Sequence, residues 1–145
     1  MKVHFLVSLV ALSLFAFSCS DDDESASVSP APENLTATII EGTWHITYLL
    51  KSDTDLSSHF DGFSLTFHDN GNLEATSGTK TQMGSWTAED DAGVAELVIL
   101  YTSKDDFDEL LSEDWAVVEM TDAKLRLEHG GGSNGEKDYL TLEKN

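Results

Sequence analysis

The chain contains one cysteine, Cys19, set between an apolar run that ends at Phe17 and the acids Asp21, Asp22, Asp23 and Glu24. A thiol can serve as a nucleophile, a metal ligand, half of a disulfide or the attachment point of a covalent group. One cysteine closes no intramolecular disulfide, and no nucleophile-elbow motif supplies another nucleophile. Beyond the first residues, His45, His59, His68 and His129 are scattered, without the His-x-His or His-x-x-x-His spacing that puts two ring nitrogens on one face. The acids are a better source of ligands. Asp53, Asp55, Asp69 with Asn70 and Asn72, the run Glu89-Asp90-Asp91, and Asp105, Asp106 and Asp108 all offer hard oxygens to calcium. None follows the spaced loop closed by a bidentate glutamate. Turn formation, helix capping and solubility explain these acids, with a structural or adventitious calcium as the competing reading. The sequence thus predicts no catalytic residue, no metal centre, no cofactor and no enzyme.

Attachment is the chemistry left to Cys19. Lys2 gives a positive start, and Phe5 to Phe17 is apolar apart from Ser8 and Ser13, shorter than the about 20 residues of a membrane span. Residues 1–18 therefore read as a signal peptide that is removed, although Cys19 as an ordinary residue beside a short anchor stays open. With Ala16, Phe17 and Ser18 before it, Cys19 sits in a segment that resembles the lipobox of bacterial lipoproteins. The resemblance implies that the thiol is acylated, with palmitate-like chains, and becomes the lipidated N-terminus. A single acyl chain holds a membrane only marginally, whereas two or three hardly leave it. Ser20-Asp21-Asp22-Asp23-Glu24 resembles the export signal of surface lipoproteins in the phylum Bacteroidota. That implies an outer-membrane protein facing the cell exterior, against the plainer alternative of a solvated acidic tether. From Ser25 to Thr38 large apolar residues are few and both prolines occur, so residues 19–38 read as the lipidated cysteine, the export signal and a flexible tether.

The elements that would position any site begin at Ile39, where the apolar period becomes two. "GTWHITYLL" puts Trp44, Ile46 and Tyr48 on one face, and "FSLTF" does the same with Phe63, Leu65 and Phe67. Asn70-Gly71 then supplies positive backbone angles for a tight hairpin into "NLEAT". "QMGSWTAE", "VAELVILYT", "WAVVEMT", "KLRLEH" and "DYLTLEK" complete eight strands. One helix, Ser103 to Ser112, falls between the fifth and sixth, with Ser103 as its cap, Asp106 completing a capping box, and Phe107, Leu110 and Leu111 on one stripe. Eight strands on hairpin-length links suit an all-β, antiparallel, up-and-down barrel over residues 39–145, with a flattened sandwich as the alternative. "ELVILY" is apolar on both faces, which predicts that the helix or the tether covers its outer side.

Gly42-Thr43-Trp44 is similar to the Gly-x-Trp signature of lipocalins. Together with Phe63 to Phe67, Asp69-Asn70-Gly71, Gly84-Ser85-Trp86, Glu113-Asp114-Trp115 and Leu140 to Lys144, it resembles the lipocalin-like domain of small Bacteroidota lipoproteins. The resemblance implies a fold and no particular chemistry.

The predicted inward set is Trp44, Ile46, Tyr48, Phe63, Leu65, Phe67, Leu73, Trp86, Leu97, Ile99, Trp115, Leu125, Leu127, Leu140 and Leu142. An eight-stranded barrel either fills with such side chains or holds one small ligand. If it holds one, Trp44, Tyr48, Phe63, Leu65, Phe67, Trp86 and Trp115 are the candidate lining, with the helix or the loop Ser52 to Asp61 as a gate at the mouth. If it is solid, the outer surface meets a partner protein, for example in an outer-membrane complex. With 27 acids against 8 bases and a formal net charge of -19, the chain repels polyphosphates, which argues against nucleic acid as a partner.

Overall fold

Alternation in the sequence becomes a continuous antiparallel sheet. The structure, a computed structural model, describes residues 30–130 and 135–145. The expected signal peptide, the Cys19 lipidation site and the Ser20 to Glu24 export signal lie outside the described residues. The elements in chain order are α1 (Pro32–Ile39), β1 (Trp44–Lys51), β2 (Thr54–Asp55), a 3-10 turn (Ser57–Phe60), β3 (Ser64–Phe67), β4 (Asn72–Ser77), β5 (Lys80–Asp91), β6 (Val94–Tyr101), α2 (Asp106–Leu111), β7 (Asp114–Thr121), β8 (Lys124–His129) and β9 (Asp138–Lys144). β1 and β3 through β9 pair in sequence order, and β9 pairs back onto β1, so the sheet closes into an eight-stranded barrel. Closure gives each of the eight barrel strands a neighbour on both sides. β2 is a two-residue extension folded back on the end of β1.

The interior is filled. Trp44, Leu65, Phe67, Leu73, Trp86, Leu97, Ile99, Trp115, Leu125, Leu127, Leu140 and Leu142 are all buried, as their alternation requires. An indole N–H in such a place needs a partner. Trp44 donates to the Ile39 carbonyl (2.9 Å), Trp86 to that of His68 (2.9 Å) and Trp115 to that of Leu111 (3.0 Å). The three tryptophans thus tie the wall to α1, to the β3–β4 hairpin and to α2.

Four expectations are corrected. Tyr48 does not face inward: the β1–β9 register slips between Ile46 and Tyr48, leaving Thr47 as a bulge that reverses the phase. Leu49 is buried in its place and Tyr48 is 38% exposed. The β3–β4 hairpin uses positive φ at Gly71 alone (83°), closed by the Gly71 N–H on the His68 carbonyl (3.0 Å). Paired positive angles occur instead at Ser52-Asp53 and Ala92-Gly93, the two-residue turns that follow β1 and β5. The expected flexible tether does not extend to Thr38, because Pro32–Ile39 is helical with proline in its first turn. Leu35 and Ile39, four residues apart, share a face that is fully buried, with α1 packed against β5 and β6. The outer side of β6, finally, is left uncovered at its ends, where Val94 is 41% and Leu100 53% exposed.

Candidate functional site

β3 and β5 begin, and β6 finishes, at one end of the barrel. α1 leads into β1 at the other end. The first end is built over by two segments, the 3-10 turn between β1 and β3 and the helix α2 after β6. α2 is capped by Asp105, not by Ser103: the Asp105 Oδ1 accepts the Phe107 N–H (3.0 Å), while the Ser103 hydroxyl donates to the same oxygen (2.6 Å). A residue at 105 can reach the exposed amides of the first turn, and Ser103, two residues earlier, supports the cap instead. The Ser112 hydroxyl holds the other end by accepting the Tyr101 N–H (2.8 Å), and Lys51 Nζ bonds both the Glu109 carbonyl (3.1 Å) and the Glu113 carboxylate (2.7 Å).

Between these segments lies an open cleft of about 300 Å³. Its apolar surface is Phe63 and Phe107. Phe107 is the hub, meeting Phe60 (5.1 Å), Phe63 (5.0 Å) and Tyr101 (5.1 Å) edge to face. Its polar rim is His59, Lys80, Gln82, Asp105 and Asp106. The two sides are joined across it: His59 Nδ1 is 2.9 Å from Asp106 Oδ2, and Gln82 Nε2 donates to Asp105 Oδ2 (2.8 Å). Behind Phe107, the Tyr101 hydroxyl is buried with no hydrogen-bond partner among the described residues. Burial, and then the Asp105 charge, push its pKa well above the usual tyrosine range, so it stays a neutral donor. On the 3-10 turn side, hydrogen bonds from the Ser57 hydroxyl and N–H hold the Asp55 carboxyl below its ordinary pKa.

Of the seven residues expected to line a lumen, Trp44, Leu65, Phe67, Trp86 and Trp115 are packed into the core, and Tyr48 is outside. Phe63 alone, half-buried, reaches the cleft. The two expected gates, the loop Ser52 to Asp61 and the helix within Ser103 to Ser112, do border it, through His59 and through Asp106 and Phe107. Lys80 and Gln82 were not anticipated. Gln82 carried a signal, since it shares the inward phase of Gly84 and Trp86 yet is polar. On the outer face, Glu96 stands directly opposite Glu89. Desolvation, then Asp91, Asp114 and Glu89, raise its pKa.

No protein-family model matches the chain, and no curated protein matches it. Among solved structures it is similar to a DUF4847 family protein from Bacteroides vulgatus, with a TM-score of 0.50 and 15% identity over 77% of this chain and 97% of that one. At that identity the likeness concerns the barrel fold.

Proposed function

We propose that the chain is a lipid-anchored, surface-exposed lipoprotein of the outer membrane with a lipocalin-like barrel that binds a small amphipathic molecule at its mouth, without catalysis. One observation carries the binding reading: side chains fill the lumen, while the mouth keeps a cleft that combines two aromatic rings with a polar rim. Its volume is at the lower end of ligand pockets. The anchoring reading rests on Cys19 and the residues around it. It agrees with α1 lying at the end of the barrel away from the cleft, so that a tether preceding Pro30 leaves the mouth open to the medium.

Binding is tested by titrating the chain from residue 19 onward, carrying Cys19→Ser, with a panel of small aromatic and aliphatic amphiphiles while following backbone amide resonances. Shifts confined to His59, Phe63, Gln82 and Phe107 support the reading; a panel that moves none of them removes it. The anchor is tested separately: Cys19→Ala abolishes lipid labelling and leader cleavage, and added protease reaches the protein on intact cells.

A second reading, an interaction module, is favoured by the solid core together with Met83 (52% exposed) and Leu100 (53%) on the outer face. Ser85 pairs with Leu100, which makes Met83 its diagonal neighbour. Site-specific cross-linking from position 83 on intact cells discriminates the two, since only the interaction module gives a discrete adduct.

A further inference from the structure

We infer that the mouth cleft selects small monoanionic amphiphiles of the carboxylate type, whose head group pairs with Lys80. The inference rests on the cleft being the binding site. Acids outnumber bases 27 to 8 in this chain, so a cation without a carboxylate is the exception. Lys51, Lys124, Arg126, Lys137 and Lys144 each face a glutamate. The side chains of Lys80 and Lys104 have no ion pair or hydrogen bond among the described residues, and of these two only Lys80 lies on the cleft wall.

The two carboxylates of the rim are already engaged. Asp105 accepts from Ser103, Phe107 and Gln82, and Asp106 accepts from His59. A carboxylate can only accept hydrogen bonds, so the His59 Nδ1 that faces Asp106 carries the proton. What the rim leaves open in charge is therefore the Lys80 ammonium, with three donors and no acceptor. Beside it, Phe63 and Phe107 offer an apolar wall to the body of the ligand.

Size and field narrow the class further. A cleft of about 300 Å³ takes one small molecule. The net charge of -19 opposes every additional negative charge on the ligand. At physiological ionic strength that long-range repulsion is screened beyond about 8 Å, while a contact pair at Lys80 is not, so a single negative charge is favoured over a polyanion.

The test is a matched pair, 3-phenylpropionate and 3-phenylpropanol, titrated into the chain from residue 19 onward carrying Cys19→Ser, with amide shifts as the readout. Variants are Lys80→Gln and, as a control with the same charge change at the opposite end of the barrel, Lys124→Gln. The acid is expected to bind roughly 5-fold tighter than the alcohol, an advantage that Lys80→Gln erases and Lys124→Gln leaves intact. Equal affinities for acid and alcohol overturn the inference and leave the cleft as a binding site. An acid preference untouched by Lys80→Gln likewise overturns it. Absence of cleft shifts with either compound overturns both the inference and the binding reading. The unliganded spectrum of each variant, superimposable on the parent outside the substituted residue, shows that the fold is kept.

Discussion

The Tyr101 ring occupies the space that a side chain at Gly84 would need. The two residues face each other across β5 and β6, and a Cβ on Gly84 would lie 2.9 Å from two ring carbons and 2.8 Å from the Leu100 carbonyl oxygen. The ring cannot swing aside, because Phe107 packs against it, and the carbonyl belongs to the ladder. Gly84→Ala is therefore expected to cost about 1–3 kcal/mol, as overpacking does in tight cores. Urea denaturation checks this; a midpoint equal to the parent's would show that the wall yields freely.

Tyr101→Phe removes a buried hydroxyl that has no partner and keeps the ring that covers Gly84. Stability at pH 7 should stay level or rise by up to about 1 kcal/mol. The alkaline limb separates the two proteins further. With its pKa raised in the fold, Tyr101 keeps its proton after the unfolded chain has lost it, so the stabilisation is complete below the ordinary tyrosine pKa of about 10 and is lost as pH rises beyond it. Urea midpoints at pH 8, 10 and 11 should fall less steeply for Tyr101→Phe. Lys137, also raised by its hydrogen bond to Glu128, contributes equally to both and cancels. Parallel limbs would mean that the ionised oxygen is solvated in the fold, so that its pKa is not raised.

Asp105 and Ser103 make opposite predictions about the start of α2. Asp105→Ala frees the Phe107 N–H and strands the Gln82 amide, a loss of about 1–2 kcal/mol. Ser103→Ala removes a hydroxyl that only braces the cap and should cost under about 0.5 kcal/mol. Equal losses, read from urea midpoints, would place the cap at Ser103 after all.

Period-two alternation made the barrel strands legible, because a strand buried on one face must write its exposure into its sequence. The same logic failed at Tyr48, since a bulge at Thr47 reverses the phase and a threonine in a strand carries no mark of a bulge. Asp90-Asp91-Ala92-Gly93 reads as a turn, and the chain turns at Ala92-Gly93 with positive φ at both residues. The cleft was half legible. The loop with His59 and the helix with Phe107 stood out as interruptions of the strand pattern. Lys80 did not, because which lysines find a glutamate across the sheet is a property of register and not of local sequence.

The helix α1 offers the sharpest separation between the two ways of reading the chain. A flexible tether loses nothing when Leu35 becomes alanine. In the structure Leu35 is fully buried together with Ile39, against β5 and β6, and the Trp44 indole donates to the carbonyl of Ile39. Leu35→Ala should then cost about 2–5 kcal/mol, the range for emptying a fully buried leucine site. A chain that begins at Gly42 should lose at least as much as one that begins at Pro30 and carries Leu35→Ala, because it gives up both buried side chains and leaves the Trp44 N–H without its acceptor. Thermal and urea unfolding of the three chains decide the matter. Coincident transitions would return Pro32–Ile39 to the expected tether, whereas a graded loss makes the helix part of the folding unit.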